Sequence, residues 1–593
     1  FVGNYVNATS GYAAGGAIDN RYGTIDTIEG DFIGNYAQAS SSTFGGAIRN
    51  YHNSSIGAIT GDFVGNYAQT TNRSVYGGAI YNIGTITTIT GDFVGNYAQS
   101  ESDSALGGAI DNGLTIGSIT GDFVGNYAQS TNSYAYGGAI YNGLTIGSIT
   151  GDFVGNYAQG NSKAYGGAIY NYSSRTITSI TGDFVGNYAQ GSDASGGAIY
   201  NDTNCTITTI TTITGDFVGN YAQSTNSYAY GGAIYNRGTI DSITGDFVGN
   251  YAQGSSASGG AIRNYDNSSI GAITGDFVGN YAQGSGNYAD ASGGAIYNYG
   301  TIGTITGDFI GNYAQGTFAS GGAISNSSSD TIGSITGDFI GNYAQGSSYT
   351  DGGAIYNSGT ITTITGDFVG NYAQGSTASG GAIDNFDIIG SITGDFVGNY
   401  AQGTYAEGGA IDNGGGTIDS ITGDFVGNYA QSTNSYAYGG AIYNYYGTIT
   451  TITGDFVGNY AQTTNRSAYG GAIYNGTNCT ITTITGDFVG NYAQSESDSA
   501  SGGAIYNLGK VGKLINSSFV GNWAEAKTGT ALGGAIYTTT NLNLFADGKD
   551  VQIRDNYTMS NGVKDDNAIY VDADDATLTF NIKNNGSILL KDN

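Results

Sequence analysis

The sequence predicts an all-β chain wound as a parallel β-helix (β-solenoid) of about eighteen coils, each of roughly thirty residues. Three observations carry that expectation. The tetrapeptide GGAI recurs eighteen times between Gly15 and Gly533. A second signature, F[VI]GN, falls between successive copies, almost always within GDF[VI]GNYAQ. The composition is that of a small-residue, aromatic β protein and not of a disordered chain: 105 Gly, 50 Tyr and no Pro in 593 residues.

The copy from Gly77 to Ser100 justifies each element in order. Its paired glycines permit positive φ and close approach of neighbouring coils. The β-branched run Ile86 to Thr90 and the pair Phe93, Val94 read as short strands between glycine and asparagine turns. Ile89, Gly91 and Phe93 alternate with Thr90 and Asp92, giving one apolar face at period two. The step from Ile86 to Ile89 breaks that period, so a bend or bulge is expected between them.

No such unit can bury its apolar face alone. Stacking copies sets Phe32, Phe63, Phe93 and Phe123 in one column and Asn35, Asn66, Asn96 and Asn126 in a ladder, where each amide bonds the next coil. The Asn that follows GGAI[YDRS] is expected to form a second ladder. Between YAQ and GGAI lies a variable segment rich in Ser, Asn, Tyr and Ala, which reads as the exposed loop and the place for binding diversity.

Two regions follow: residues 1–540, the β-helix of GGAI/GDFVGN repeats, and residues 541–593, a less regular β C-terminal cap. Composition shifts near Asn507, for seven of the eight lysines lie from Lys510 onward, with the lone Trp523 and Met559. Phe1 opens in mid-repeat without an initiator Met, so a longer precursor is expected.

Composition also limits function. A formal net charge of −30 repels phosphate backbones, so nucleic acid is excluded as a partner. Sixteen copies of GDF carry an aspartate, and Asp62, Asp92, Asp122 and Asp152 exemplify a carboxylate column that would suit calcium. One carboxylate per coil supplies too few ligands, so these are read as solvated or turn-capping and no metal is expected. Cys205 and Cys479 lie too many coils apart to bridge within one chain. They are read as solvent-facing or half-buried thiols, with an intermolecular disulfide as the alternative. His52 is the sole histidine, and its counterpart in the duplicated loop is Asp266. With no GxSxG, HExxH, CxxC or P-loop pattern, neither catalytic residues nor a cofactor is expected, and the chain reads as non-enzymatic. Threonine columns in TITTIT tracts are interrupted by Gly, Asp, Ser or Ala, which breaks any flat ice-binding lattice. Tyrosines of AIYNY and NSYAY offer apolar platforms with polar tips, suited either to mutual stacking or to sugar rings.

The tandem pairing of GGA[ILV] with FxxN resembles the polymorphic membrane proteins of chlamydiae and related bacterial autotransporter passengers, over roughly Phe1 to Tyr537. The resemblance implies a right-handed helix and an exported passenger displayed as an adhesin at an extracellular or bacterial outer-membrane surface. Outer-membrane attachment would come only through segments absent from this sequence. Partners would be host-cell, glycan or self contacts, made through loops and ends. The chain is more uniform than those proteins, and uniformity also suits a subunit of a self-assembling extracellular fibre that joins end to end. A polysaccharide-binding or polysaccharide-cleaving β-helix stands third.

Overall fold

A computed structural model describes residues 1–172, 175–202, 209–574 and 576–591. Among the described residues the chain forms 93 strands and no helix. It is a right-handed parallel β-helix of about 19 coils of ~30 residues. The count passes the eighteen GGAI copies because the strands beyond Tyr537 continue to wind.

One coil comprises the strands Ile80–Asn82, Thr85–Thr90, Phe93–Val94, Tyr97–Ser100 and Ala105–Leu106. Each pairs in parallel with its own copy one coil on: Ile80 with Ile110, Phe93 with Phe123, Tyr97 with Tyr127. The ladder of Thr85–Thr90 pairs every residue except Thr87. That skipped residue lets both Ile86 and Ile89 point inward, where each is buried. The broken hydrophobic period is thus the signature of a bulge.

In-register stacking puts like on like. Phe63 and Phe93 are fully buried, with ring centroids 4.7 Å apart and planes 2° from parallel. Tyr67 and Tyr97 stack at 4.8 Å on an outer face. Each aromatic pair contributes about 0.5–1.5 kcal/mol beyond the area it buries.

The polar interior is satisfied by ladders. Asn96 Oδ1 accepts from both the backbone N–H and the Nδ2 of Asn66, each at 2.9 Å. Asn66 Nδ2 also donates to the Phe32 carbonyl at 2.8 Å. Asn35 bonds Asn66 and Asn96 bonds Asn126 in the same way. The asparagine after GGAI builds a second ladder, Asn50 Nδ2 to Asn82 Oδ1 at 2.9 Å. A third, half-buried ladder joins the glutamines of YAQ, Gln69 Nε2 to Gln99 Oε1 at 3.0 Å.

The two glycines of GGAI have different reasons. Gly107 sits at φ +62°, a left-handed conformation that side chains resist. For Gly108 the constraint is space, since a Cβ there would lie 2.0 Å from the Gly138 carbonyl oxygen of the next coil.

Contacts divide the chain into two compact units, Phe1–Asp290 with Gly294–Ile305, and Ala291–Gly293 with Thr306–Asn593. Each is a stack of the coils just described. In the second unit the motif fades while the winding persists. Leu578–Lys583 pairs with Leu542–Asp547, and Ser587–Leu590 with Asp550–Arg554. The face that carries Tyr492 and Trp523 ends in an antiparallel hairpin, Tyr557–Ser560 on Val563–Asp565.

Gly108→Ala is expected to destabilise the fold by about 1–3 kcal/mol through overpacking. Gly125, also left-handed at φ +62° but with no atom near its absent Cβ, should accept Asn at under about 1 kcal/mol. Chemical denaturation of the two single variants checks the contrast.

Candidate functional site: two facing columns beside GGAI

The residue just before GGAI and the residue just after it change from coil to coil, while the tetrapeptide is constant and the following Asn gives way only to Thr538 in the last copy. The glycine corner turns the chain so that these two positions face each other on the outside. Their rings touch within a coil or between neighbouring coils: Tyr76 and Tyr81 at 5.7 Å, Tyr469 and Tyr506 at 4.6 Å. Because each column repeats at one strand spacing, similar residues in successive coils gather into chemical blocks.

In the first unit the block nearest the N-terminus is an ion pair. Arg49, after GGAI, is buried and donates to Asp19 of the preceding coil, Nε to Oδ1 at 2.8 Å and Nη2 to Oδ2 at 2.7 Å. Asp111 follows two coils on, in register between Tyr81 and Tyr141. Its Oδ2 is buried without a hydrogen-bond partner. Burial pushes its carboxyl well above the usual range.

Tyrosine then dominates both columns, broken before GGAI at Ser195. Tyr170, Tyr200 and Tyr235 form a buried cluster, with Tyr136 stacked on Tyr170 at 4.9 Å and Tyr165 on Tyr200 at 4.7 Å. The Tyr170 hydroxyl donates to Asp202 at 2.8 Å, and Arg237 Nη1 reaches Asp202 at 3.2 Å. Arg263 enters this block with its Cζ 3.5 Å from the Tyr230 ring centroid. Burial raises the Tyr235 hydroxyl to about 12, against the opposing pull of Arg263 and Arg237.

In the second unit an acidic block comes first. Asp384 and Asp412 are register neighbours, both buried after GGAI. Asp351 and Glu407 flank Ser379 in the facing column. Both oxygens of Asp384 and Oδ1 of Asp412 lack hydrogen-bond partners. Burial, reinforced by the neighbouring carboxylates, raises Asp384 and Asp412 well above the ordinary range. Asp351 is raised to about 7 by burial and then by Glu407. A tyrosine block follows, in which Tyr438 meets Tyr443 at 5.4 Å and Tyr474 at 4.9 Å.

The residues singled out from the sequence lie elsewhere. The Phe column and the Asn35 to Asn126 ladder are interior. Asp62, Asp92, Asp122 and Asp152 form an exposed row. Asp62 Oδ1 accepts the backbone N–H of Asp92 at 2.9 Å, and the link repeats up the row. Among the described residues no three of His, Cys, Asp and Glu group so as to hold a metal ion. Cys479 is a free thiol, 1% exposed, whose sulfur accepts the Tyr446 N–H at 2.9 Å. Buried in this way, it presents no sulfur to another chain. Cys205 lies outside the described residues. His52 is exposed and packs edge-on to Tyr51.

The exposed loops are less free than their composition suggests. Serines at the position after YAQ reach back to the previous loop, Ser130 Oγ to the Asp103 carbonyl at 2.7 Å. The loops vary in length and sequence, whereas the two columns vary in side chain alone beside a constant GGAI. Residue types that change on either side of an unchanging GGAI are the signal that marks the columns in the sequence.

Comparison with protein-family models, curated proteins and solved structures finds no match for this chain.

The acidic block sets a pH dependence. A carboxyl whose folded pKa is raised favours the folded state most below its unfolded value of about 4. That preference is lost as pH rises, through about 7 for Asp351 and further for Asp384 and Asp412. The Asp384→Asn, Asp412→Asn double variant is expected to unfold a few degrees higher than the parent chain at about pH 8 and to gain less near pH 4. Thermal melts at the two pH values check this.

Proposed function

We propose that the chain is a non-enzymatic structural and adhesive repeat protein of the cell surface or extracellular space, which acts by displaying variable side chains on a rigid scaffold. One observation carries this reading: interior ladders stay the same from coil to coil, while two outward columns change in chemical blocks. A protein that needed only length would have no reason to vary residues that lie outside the asparagine ladders and the interior Phe and Ile columns. A surface location is supported by the resemblance of the GGAI/FVGN repeat to chlamydial and autotransporter passengers.

Adhesion through the columns draws on tyrosine, which offers large rigid contact area with a polar tip. In the second unit Tyr438 and Tyr469 stand before GGAI and are half-buried. Serine occupies the same column at Ser320 and Ser379, so the scaffold accepts it there. The chemistry on offer is contact.

Beads coated with the full chain are expected to attach to cultured epithelial cells and to score on a glycan array. The Tyr438→Ser, Tyr469→Ser variant should lose about tenfold in bound beads, the equivalent of roughly 1.4 kcal/mol. Unchanged attachment by that variant and by matched variants of the first unit's tyrosines would overturn the adhesive reading. End-to-end filaments in electron micrographs, without cell or glycan binding, would favour the fibre subunit instead.

A further inference from the structure

We propose that Arg263 and the tyrosines around it form a binding site for an acidic sugar, with the arginine taking the sugar's carboxylate and the rings its apolar face. The proposal rests on the reading of the columns as contact surfaces and names the ligand class for one block of them.

The chain supplies its own control. At Arg49 a column arginine is buried against the carboxylate of the previous coil, Asp19, with two charge-assisted hydrogen bonds. Arg263 occupies the same column position, yet its register neighbours are Tyr235 and Tyr297. It is 8% exposed, and its Nε and Nη1 have no hydrogen-bond partner. No carboxylate pairs with it among the described residues. A buried guanidinium without its anion is costly, and Arg263 offsets that cost with the Tyr230 hydroxyl and tyrosine rings, not with a carboxylate. What the site lacks is an oxyanion of the kind Asp19 gives to Arg49.

The surroundings are built for a ring. Arg263 borders a cavity of about 250 Å³ shared with Tyr200, Tyr228, Tyr230, Tyr265 and Arg237. That volume fits one monosaccharide better than an extended chain. Tyr228 is 50% exposed at its mouth, whereas Tyr200 and Tyr235 are buried at its back. Arg237 is already occupied by Asp202 and the Tyr200 hydroxyl, so it shapes the wall and adds positive potential. The tyrosine faces supply the apolar platform that pyranose C–H groups pack on, and their hydroxyls supply donors and acceptors at the rim. In a chain with only 16 Lys and Arg against 46 Asp and Glu, two arginines converge on this cavity against a single lining carboxylate, Asp193.

The shared chemistry is an oxyanion on a sugar, and the Asp19 precedent selects carboxylate over sulfate. Planar guanidinium geometry matches carboxylate well. Binding should weaken as salt is added.

The test is calorimetric or NMR titration of the full chain with glucuronate, glucose, glucose 6-sulfate and acetate. Glucuronate is expected to bind at millimolar strength, at least about tenfold tighter than glucose or acetate. Arg263→Tyr should lose that preference by about tenfold or more while staying folded, since tyrosine is the residue its two register neighbours already carry. Arg49→Tyr, at the arginine whose acid is internal, should bind like the parent. Absence of glucuronate binding, or equal binding by Arg263→Tyr, would overturn the proposal. A preference for glucose 6-sulfate would overturn the choice of carboxylate, and acetate binding as tightly as glucuronate would overturn the sugar platform. Uronate binding by a chain that holds no cells would sink the adhesive reading and leave this site standing.

Discussion

Everything in this molecule depends on one constraint: each coil must offer the next the same atoms at the same height. Parallel, in-register strands turn that requirement into columns, and a column of asparagine amides is its strictest form. In the ladder of F[VI]GN asparagines, Asn96 accepts twice from Asn66 of the coil before it and donates to Asn126 of the coil after it and to the buried Phe63 carbonyl. A buried amide that missed any of these would carry an unpaid desolvation cost of about 1–3 kcal/mol. Register, repeat length and the choice of small residues at the corner all follow from keeping those bonds.

Freedom exists only where the ladders do not reach. The positions on either side of GGAI point outward from the corner, and the backbone there is set by glycine geometry and not by the identity of the flanking side chain. Tyrosine, arginine, aspartate, glutamate and serine therefore exchange along the two columns without disturbing the winding. Stacking then has a second effect. A substitution in one coil is judged against its neighbours one spacing away, so like residues cluster into tyrosine blocks, an ion pair and an acidic block. The same rule that makes the fold monotonous makes its surface locally concentrated.

Much of this was legible in the sequence because a strict repeat exposes its own constraints. GGAI and GDF[VI]GN carry the parallel winding, the Phe column and the Asn ladders, and the Ile86 to Ile89 step marks a bend or bulge. The facing of Tyr76 on Tyr81, or of Glu407 on the aspartates Asp384 and Asp412, was not legible. It depends on the angle at the two glycines, a three-dimensional quantity that a string of letters does not carry. The glutamine ladder escaped for a related reason: Gln in YAQ looks like a polar surface residue until its neighbour one coil on is seen to hold it. The winding of the last coils escaped because Leu542–Asp547 and Leu578–Lys583 keep the strand pattern after losing the motif.

Residue-resolved hydrogen exchange on the intact chain tests most directly whether invariant ladders hold the fold and leave the variable positions free. The ladder amides of Asn66, Asn96 and Asn126 should exchange at least about tenfold more slowly than those of loop residues such as Ser102 and Asn132, in coil after coil. Ladder amides exchanging as fast as the loops would contradict the account, for the stack would then be held by something other than its repeated bonds.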